Sequence, residues 1–197
     1  MPSLSREDAF YAADKVISYF SEFNRIDDYF RHRKVDRVKS IPTSLFGGPE
    51  ATVKKLDQML ALPPRFEVGS YNSEIHEMTE MAAVDFGQYA HSNQPVHHVL
   101  YLYAFAGAPH LAQYWVRRVL DELYSPQGFS GDEDNGEMAS WYIFSALGLY
   151  PFCPGHPSYV LGSPLFKKAT VHLPNGKELV VEAPHNDAKH VYVQGVK

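Results

Sequence analysis

The chain has a single cysteine, Cys153, so no internal disulfide can staple it and its redox compartment is left open. No apolar run is long enough to cross a bilayer. The first ten residues are polar and acidic, which reads against a signal peptide. Basic residues are too few and too scattered for a nucleic-acid surface: 18 Lys and Arg stand against 23 Asp and Glu. Arg31, Arg33, Lys34, Arg37 and Lys39 form one basic run, but Asp36 interrupts it and a solvated face accounts for it. These scarcities remove nucleic acid and membrane from the expected partners. What is present suffices for a core. Apolar residues make up 45% of the chain, and 197 residues accommodate one domain, or one with a small appendage.

Ser5 and Asp8 resemble a helix start, and Phe10, Ala13, Val16, Ile17, Phe20 and Phe23 recur at helical spacing over residues 6 to about 24. Gly47-Gly48-Pro49 opens a second helix with Val53, Leu56, Met59 and Leu60 as its stripe, and Pro63-Pro64 stops it. Residues 65 to 93 lack clean periodicity. They carry Glu74, His76, Glu77, Glu80, Asp85 and His91, and Glu at position 80 rules out the H-E-x-x-H zinc signature. After the loop His91-Ser-Asn-Gln-Pro95, residues 96 to 105 read as one continuous buried helix holding His97 and His98. Adjacent histidines on a helix point about 100° apart, so at most one would face a given ligand. Leu111, Trp115, Val119 and Leu123 mark a further helix, with Arg117 and Arg118 expected at the surface or in a substrate channel.

From Pro151 the composition turns to β. Tyr159-Val-Leu161 is a short strand, and residues 169 to 173 alternate as a half-buried one. Pro174-Asn-Gly-Lys177 is a hairpin turn in which Asn-Gly can supply two positive φ values. Residues 179 to 181 return, and residues 190 to 193 supply another strand. The expected fold is mainly α with a β tail: a helical part over 1–150 and a small antiparallel sheet over 151–197, with an exposed sheet edge.

The chemistry is concentrated in Gly131-Asp-Glu-Asp-Asn-Gly136, followed at once by a helix-competent run. Gly131 and Gly136 can take positive φ, and Asp134 or Asn135 can cap the helix. In an extended segment Asp132 and Asp134 share a face while Glu133 turns aside. Carboxylates this close repel unless solvated, protonated, hydrogen-bonded or bound to a cation. The residues alone leave two readings: a solvated acidic turn, or a pair of catalytic or calcium-binding carboxylates. The spacing is not that of an EF-hand.

Several ordered segments resemble one family. His91-Ser-Asn-Gln-Pro-Val-His-His98 resembles the H-G-N-E-P-S-H-H segment of the glycoside hydrolase family 92 α-mannosidases. Gly131 to Tyr142, Ala146 to Pro151 and Tyr159 to Pro164 resemble its G-N/D-D/E-D-x-G-Q-M-S-A-W-Y, G-F-Y-P and Y-x-I-G-S-P signatures. The resemblance implies a calcium-dependent, inverting exo-α-mannosidase. It also implies a partial (α/α)6 barrel whose C-terminal strands join an N-terminal β-sandwich, so the chain resembles the C-terminal piece of a longer enzyme. Such enzymes are typically secreted or periplasmic.

By the same resemblance Asp134 is the first choice for general base and Asp132 the second, and both are expected to hold Ca2+. Asn93, Gln94, His97 and His98 are the expected contacts to an α-mannoside or N-glycan-type carbohydrate. Two departures stand out. Position 94 is Gln where the common pattern has Glu, and an amide cannot act as an acid. If that position served as the acid, only substrates with good leaving groups, such as a mannosyl phosphodiester, would be cleaved easily. The family's acid is expected on a Glu upstream of residue 47, and residues 25 to 46 match no such segment. The competing expectation is an inactive remnant that binds carbohydrate or assembles with another chain, with uncovered helix faces favouring self-association.

Overall fold

The computed structural model describes residues 43–44, 46–153 and 158–197. The expected helix over residues 6 to 24, and almost all of the segment expected to carry the acid, lie outside them. The described part is rich in helix and carries small antiparallel sheets.

Helix α1 (Pro49–Ala61) starts as its sequence dictates: Gly48 takes φ 119° at the cap and Pro49 fills a position whose N–H would be orphaned. Thr52, Leu56 and Leu60 bury one face at four-residue intervals, and Leu62, forced extended before Pro63, ends the helix. Helix α2 (His76–Ala82) is short and lies in the stretch without periodicity.

The segment over 96–105 is not one helix. It runs as two 3-10 turns, Gln94–Val96 and Val99–Tyr101, before a single α-helical turn, α3 (Leu102–Phe105). The cause is a captured carbonyl. Trp141 Nε1 donates to the His97 carbonyl at 3.0 Å. The Tyr101 amide, which would take that carbonyl in an α-helix, bonds His98 O at 3.1 Å instead.

Helix α4 (Pro109–Glu122) buries Ala112, Val116, Val119 and Leu120. It also buries Arg117, which is 7% exposed and not a surface residue as its type suggested. Arg117 Nη1 donates to Ser163 Oγ, Pro164 O and Asn186 Oδ1, which ties α4 to the C-terminal segment. A small ribbon, β1 (Tyr124–Ser125) with β2 (Gly128–Phe129), leads into the acidic loop. Helix α5 (Glu137–Leu147) follows and ends at Gly148 in the left-handed conformation.

β3 (Leu149–Tyr150) pairs antiparallel with β4 (Val160–Leu161), so residue 150, the expected boundary, lies inside a strand pair. β5 (Lys168–His172) pairs with β6 (Glu178–Glu182) in the expected hairpin, Lys168 opposite Glu182 and His172 opposite Glu178. Its turn uses one positive φ, Gly176 at 78°, and not two. Asn175 instead accepts the Lys177 amide on its side-chain oxygen. The strand expected over 190–193 does not form, because the Val193 amide is taken by the side chain of buried Gln113. The core is Leu56, Leu60, Phe86, Tyr89, Leu100, Tyr101, Val116, Leu120 and Trp141, gathered between α1, α3, α4 and α5.

Candidate active site

Two segments far apart in sequence meet where the sequence concentrates its chemistry: His91 to His97, and the acidic loop that leads into α5. The contact is close. A Cβ on Gly131 would lie 2.6 Å from Ser92 Cβ and 2.7 Å from Ser92 O, so only glycine lets the loop rest there. Gly131 is therefore needed for space and not for positive φ. Gln94 Nε2 donates to the Asp132 carbonyl at 2.7 Å. His97 Nδ1 meets Glu137 Oε1 at 3.2 Å, in the first turn of α5.

The loop itself is unusual. Asp134, Asn135 and Gly136 take φ 47°, 58° and 89°, three left-handed residues in succession. Asp and Asn tolerate this region better than other residues, but each still costs about 1 kcal/mol, a strain that collects at functional sites. Neither caps α5 with its side chain, though the Asp134 carbonyl accepts the Glu137 amide. The side-chain cap is Glu133: its Oε1 accepts the Ala139 amide at 3.1 Å and its backbone carbonyl accepts that of Met138. The residue expected to turn aside is thus the one that seats the helix, and its carboxylate suits the positive end of the helix dipole. Asp132 and Asp134 are both exposed; the Asp132 side chain is 78% so, with His76 Nε2 at 3.9 Å as its ion partner.

His97 is 1% exposed. Its Nε2 donates to His91 O and its Nδ1 meets Glu137, so both nitrogens are committed within the protein. The expected sugar contact at His97 would have to displace one of these two partners. His98 is exposed at the surface and lies edge-on to Phe152, but its ring also hydrogen-bonds the Pro95 carbonyl, and partial burial lowers its pKa. Asn93 and Gln94 are half-buried beside the loop.

Beneath them lies a buried hydrogen-bond relay with one direction. Tyr124 OH donates to Met138 O, so it must accept from His91 Nε2, which leaves His91 Nδ1 to accept from Tyr89 OH. Burial, then the neighbouring His97, hold the His91 pKa well below the usual histidine value, in keeping with this neutral tautomer. Trp141 stacks on Tyr124 and meets the His91 ring edge-on at 4.4 Å. None of this network follows from the acidic residues alone. Its sequence signal was the Trp-Tyr pair one helical turn past the loop.

On the loop's other side, α2 brings His76 to within 3.3 Å of Glu80 and 3.5 Å of Glu77. The bond to Glu80 leads the causes that raise the His76 pKa. Buried oxygens without a protein hydrogen-bond partner include Glu77 Oε2, Glu80 Oε2, Glu133 Oε2, Ser92 Oγ and Ser130 Oγ. Such a donor set suits a hard cation or sugar hydroxyls in kind. Yet among the described residues no three His, Cys, Asp or Glu side chains converge on one point, so they do not themselves form a calcium cage.

Residues 42–197 match the model of the glycosyl hydrolase family 92 catalytic domain. The chain belongs to that family. Among solved structures it is similar to an inverting family 92 mannosidase from Bacteroides thetaiotaomicron, at 50% identity and a TM-score of 0.60, over 77% of this chain and 21% of that one. It is also similar to a family 92 α-mannosidase of the same organism, at 33% identity and a TM-score of 0.62, over 74% of this chain and 18% of that one. That α-mannosidase in complex with mannoimidazole matches at 34% identity and a TM-score of 0.57, over 68% of this chain and 17% of that one. An uncharacterized secreted glycosidase of Arthroderma benhamiae is 30% identical over 107 residues, 52% of this chain and 14% of the relative. This family 92 chain therefore spans about a fifth of the length of the solved relatives. Among the described residues no helix is long and apolar enough to cross a membrane.

Proposed function

We propose that this chain forms the base-bearing wall of an α-mannoside hydrolase that acts with inversion. The observation that carries the reading is the docking of the acidic loop on the Ser92–Gln94 segment, in a chain similar to an α-mannosidase solved with mannoimidazole. In an inverting glycosidase one carboxylate activates water while an acid about 6.5–9.5 Å away protonates the leaving oxygen. Asp134 is the proposed base and Asp132 its alternate. Both are open to solvent and a water, and the strained left-handed stretch fixes the direction of Asp134. The acid is assigned to no described residue. Asn93, the Oε1 of Gln94 and His98 are the proposed sugar contacts, for terminal α-mannosides including N-glycan-type chains. The helices are read as part of an (α/α)6 barrel, and secretion is carried over from the relatives as part of the same proposal. Calcium, when bound, would grip vicinal sugar hydroxyls. Asp132 and Asp134 are its proposed ligands, and the missing oxygens must come from carbonyls, water or the sugar.

Hydrolysis of 4-nitrophenyl α-mannoside, with the anomer of released mannose read by NMR, tests the reading. The expected result is β-mannose first, with Asp134→Asn slower by about 10²–10⁴-fold. An Asp134→Asn variant that keeps full turnover sinks the assignment.

The second reading, an inactive piece that binds carbohydrate or assembles, is favoured by Ile143 and Tyr159. Ile143 in α5 and Tyr159 just before β4 are 57% and 54% exposed. Mannoimidazole binding by calorimetry without hydrolysis would support the carbohydrate-binding form, and concentration-dependent sedimentation the assembling one.

A further inference from the structure

We infer that Gln94 is a positioning residue that holds the acidic loop in register through its backbone; the inference rests on the reading of that loop as the base-bearing wall. Gln94 Nε2 and the Asp132 carbonyl are 2.7 Å apart across 38 residues of sequence. A carbonyl can only accept, so the amide nitrogen must face the loop. Gln94 is itself fixed. It opens the 3-10 turn just ahead of Pro95, and its own carbonyl accepts the His97 amide at 3.0 Å. One residue away, Gly131 presses on Ser92. The loop beyond this anchor then passes through three left-handed residues, a conformation that persists only where its surroundings over-determine it.

The amide therefore explains the residue type. A glutamate at this position, ionised, would turn lone pairs towards a carbonyl and add charge beside Asp132, Glu133 and Asp134. A protonated glutamate would donate as glutamine does. Gln94 thus acts on the base through the backbone of the residue two before it and needs no proton of its own for the purpose.

The test is amide hydrogen exchange by NMR on the full 197-residue chain. It reads Glu137, Met138 and Ala139, whose amides bond Asp134 O, Glu133 O and Glu133 Oε1. Two isosteric variants, Gln94→Glu and Gln94→Met, are compared with the parent at pH 7 and pH 4. At pH 7 both are expected to exchange about three- to tenfold faster than the parent, the loss of one net hydrogen bond. At pH 4, near the carboxyl pKa of about 4.3, only Gln94→Glu should recover towards the parent rate. Equal rates in all three chains at pH 7, or the same behaviour of both variants at both pH values, overturn the inference. Exchange is read without substrate, so failure here is distinct from failure to hydrolyse a mannoside. Where turnover is measurable, Gln94→Glu should show a kcat that rises on acidification relative to Gln94→Met.

Discussion

The junction of the acidic loop with residues 91–97 and the β5–β6 hairpin are both tight turns closed by hydrogen bonds, but they rest on different foundations. Under the loop lie Trp141, Tyr124, His91 and His97, buried or nearly so, each hydrogen-bonded to another segment. The hairpin pairs with itself, and Leu179 and Val180 remain 40% and 44% exposed. The loop's geometry is thus set by long-range contacts, whereas the hairpin's is set by its own turn and register. A site that must hold a carboxylate in one direction needs the first kind of support.

Trp141→Ala should break the junction outright. It removes a large side chain that is 2% exposed and frees the His97 carbonyl, at a cost of about 3–5 kcal/mol. Urea unfolding measures it, and near-native stability would mean the aromatic cluster does not carry the loop. Arg117→Met comes next. It orphans Ser163, Pro164 and Asn186 at a cost of about 2–3 kcal/mol. Exchange at the Ala183 and Asn186 amides should accelerate while Ser140 keeps its protection. Equal acceleration at all three would show that the two regions are one cooperative unit.

Gly131→Ala should cost about 1–3 kcal/mol, because its methyl group meets the Ser92 backbone with no room to shift. Activity should fall further than stability, since the displaced loop carries both proposed carboxylates. Residue types alone carry no sign of this. Gly131 and Gly136 look alike as loop glycines, and only Gly136 uses the left-handed conformation that distinguishes glycine locally. The elements defined by local punctuation were legible: α1 between Gly48 and Pro63, α5 up to Gly148, the hairpin around Asn175-Gly176. What was not legible depends on partners distant in sequence. Trp141 breaks the helix expected over 96–105, Gln113 takes the amide of the strand expected over 190–193, and acceptors up to 69 residues away bury Arg117. The family was legible through motif order around the acidic loop, but the cap by Glu133 depends on how the loop folds back onto α5.

The buried relay sets a pH dependence. His91 is neutral in the folded protein with its pKa lowered by burial, while in the unfolded chain it titrates near 6.5. Below that value the unfolded state binds the additional proton. Stability from His91 is therefore complete above about pH 6.5 and is lost as pH falls towards the folded-state pKa, by up to about 1.4 kcal/mol per pH unit. His91→Gln should flatten the slope of urea midpoints between pH 6.5 and pH 5. An unchanged slope assigns the acid sensitivity to other groups.

The smallest effect is expected on the hairpin. Val180→Thr keeps a β-branched side chain opposite Thr170 and places a hydroxyl where the valine is 44% exposed. The change in stability should stay within about 0.5 kcal/mol. A larger loss would mean that this face is covered by apolar surface in solution. The thermal midpoint of the parent would then depend on protein concentration, and that of the variant would not. Val180 would in that case belong with the loop junction, as a position fixed by distant contacts, and the hairpin could no longer be treated as self-supporting.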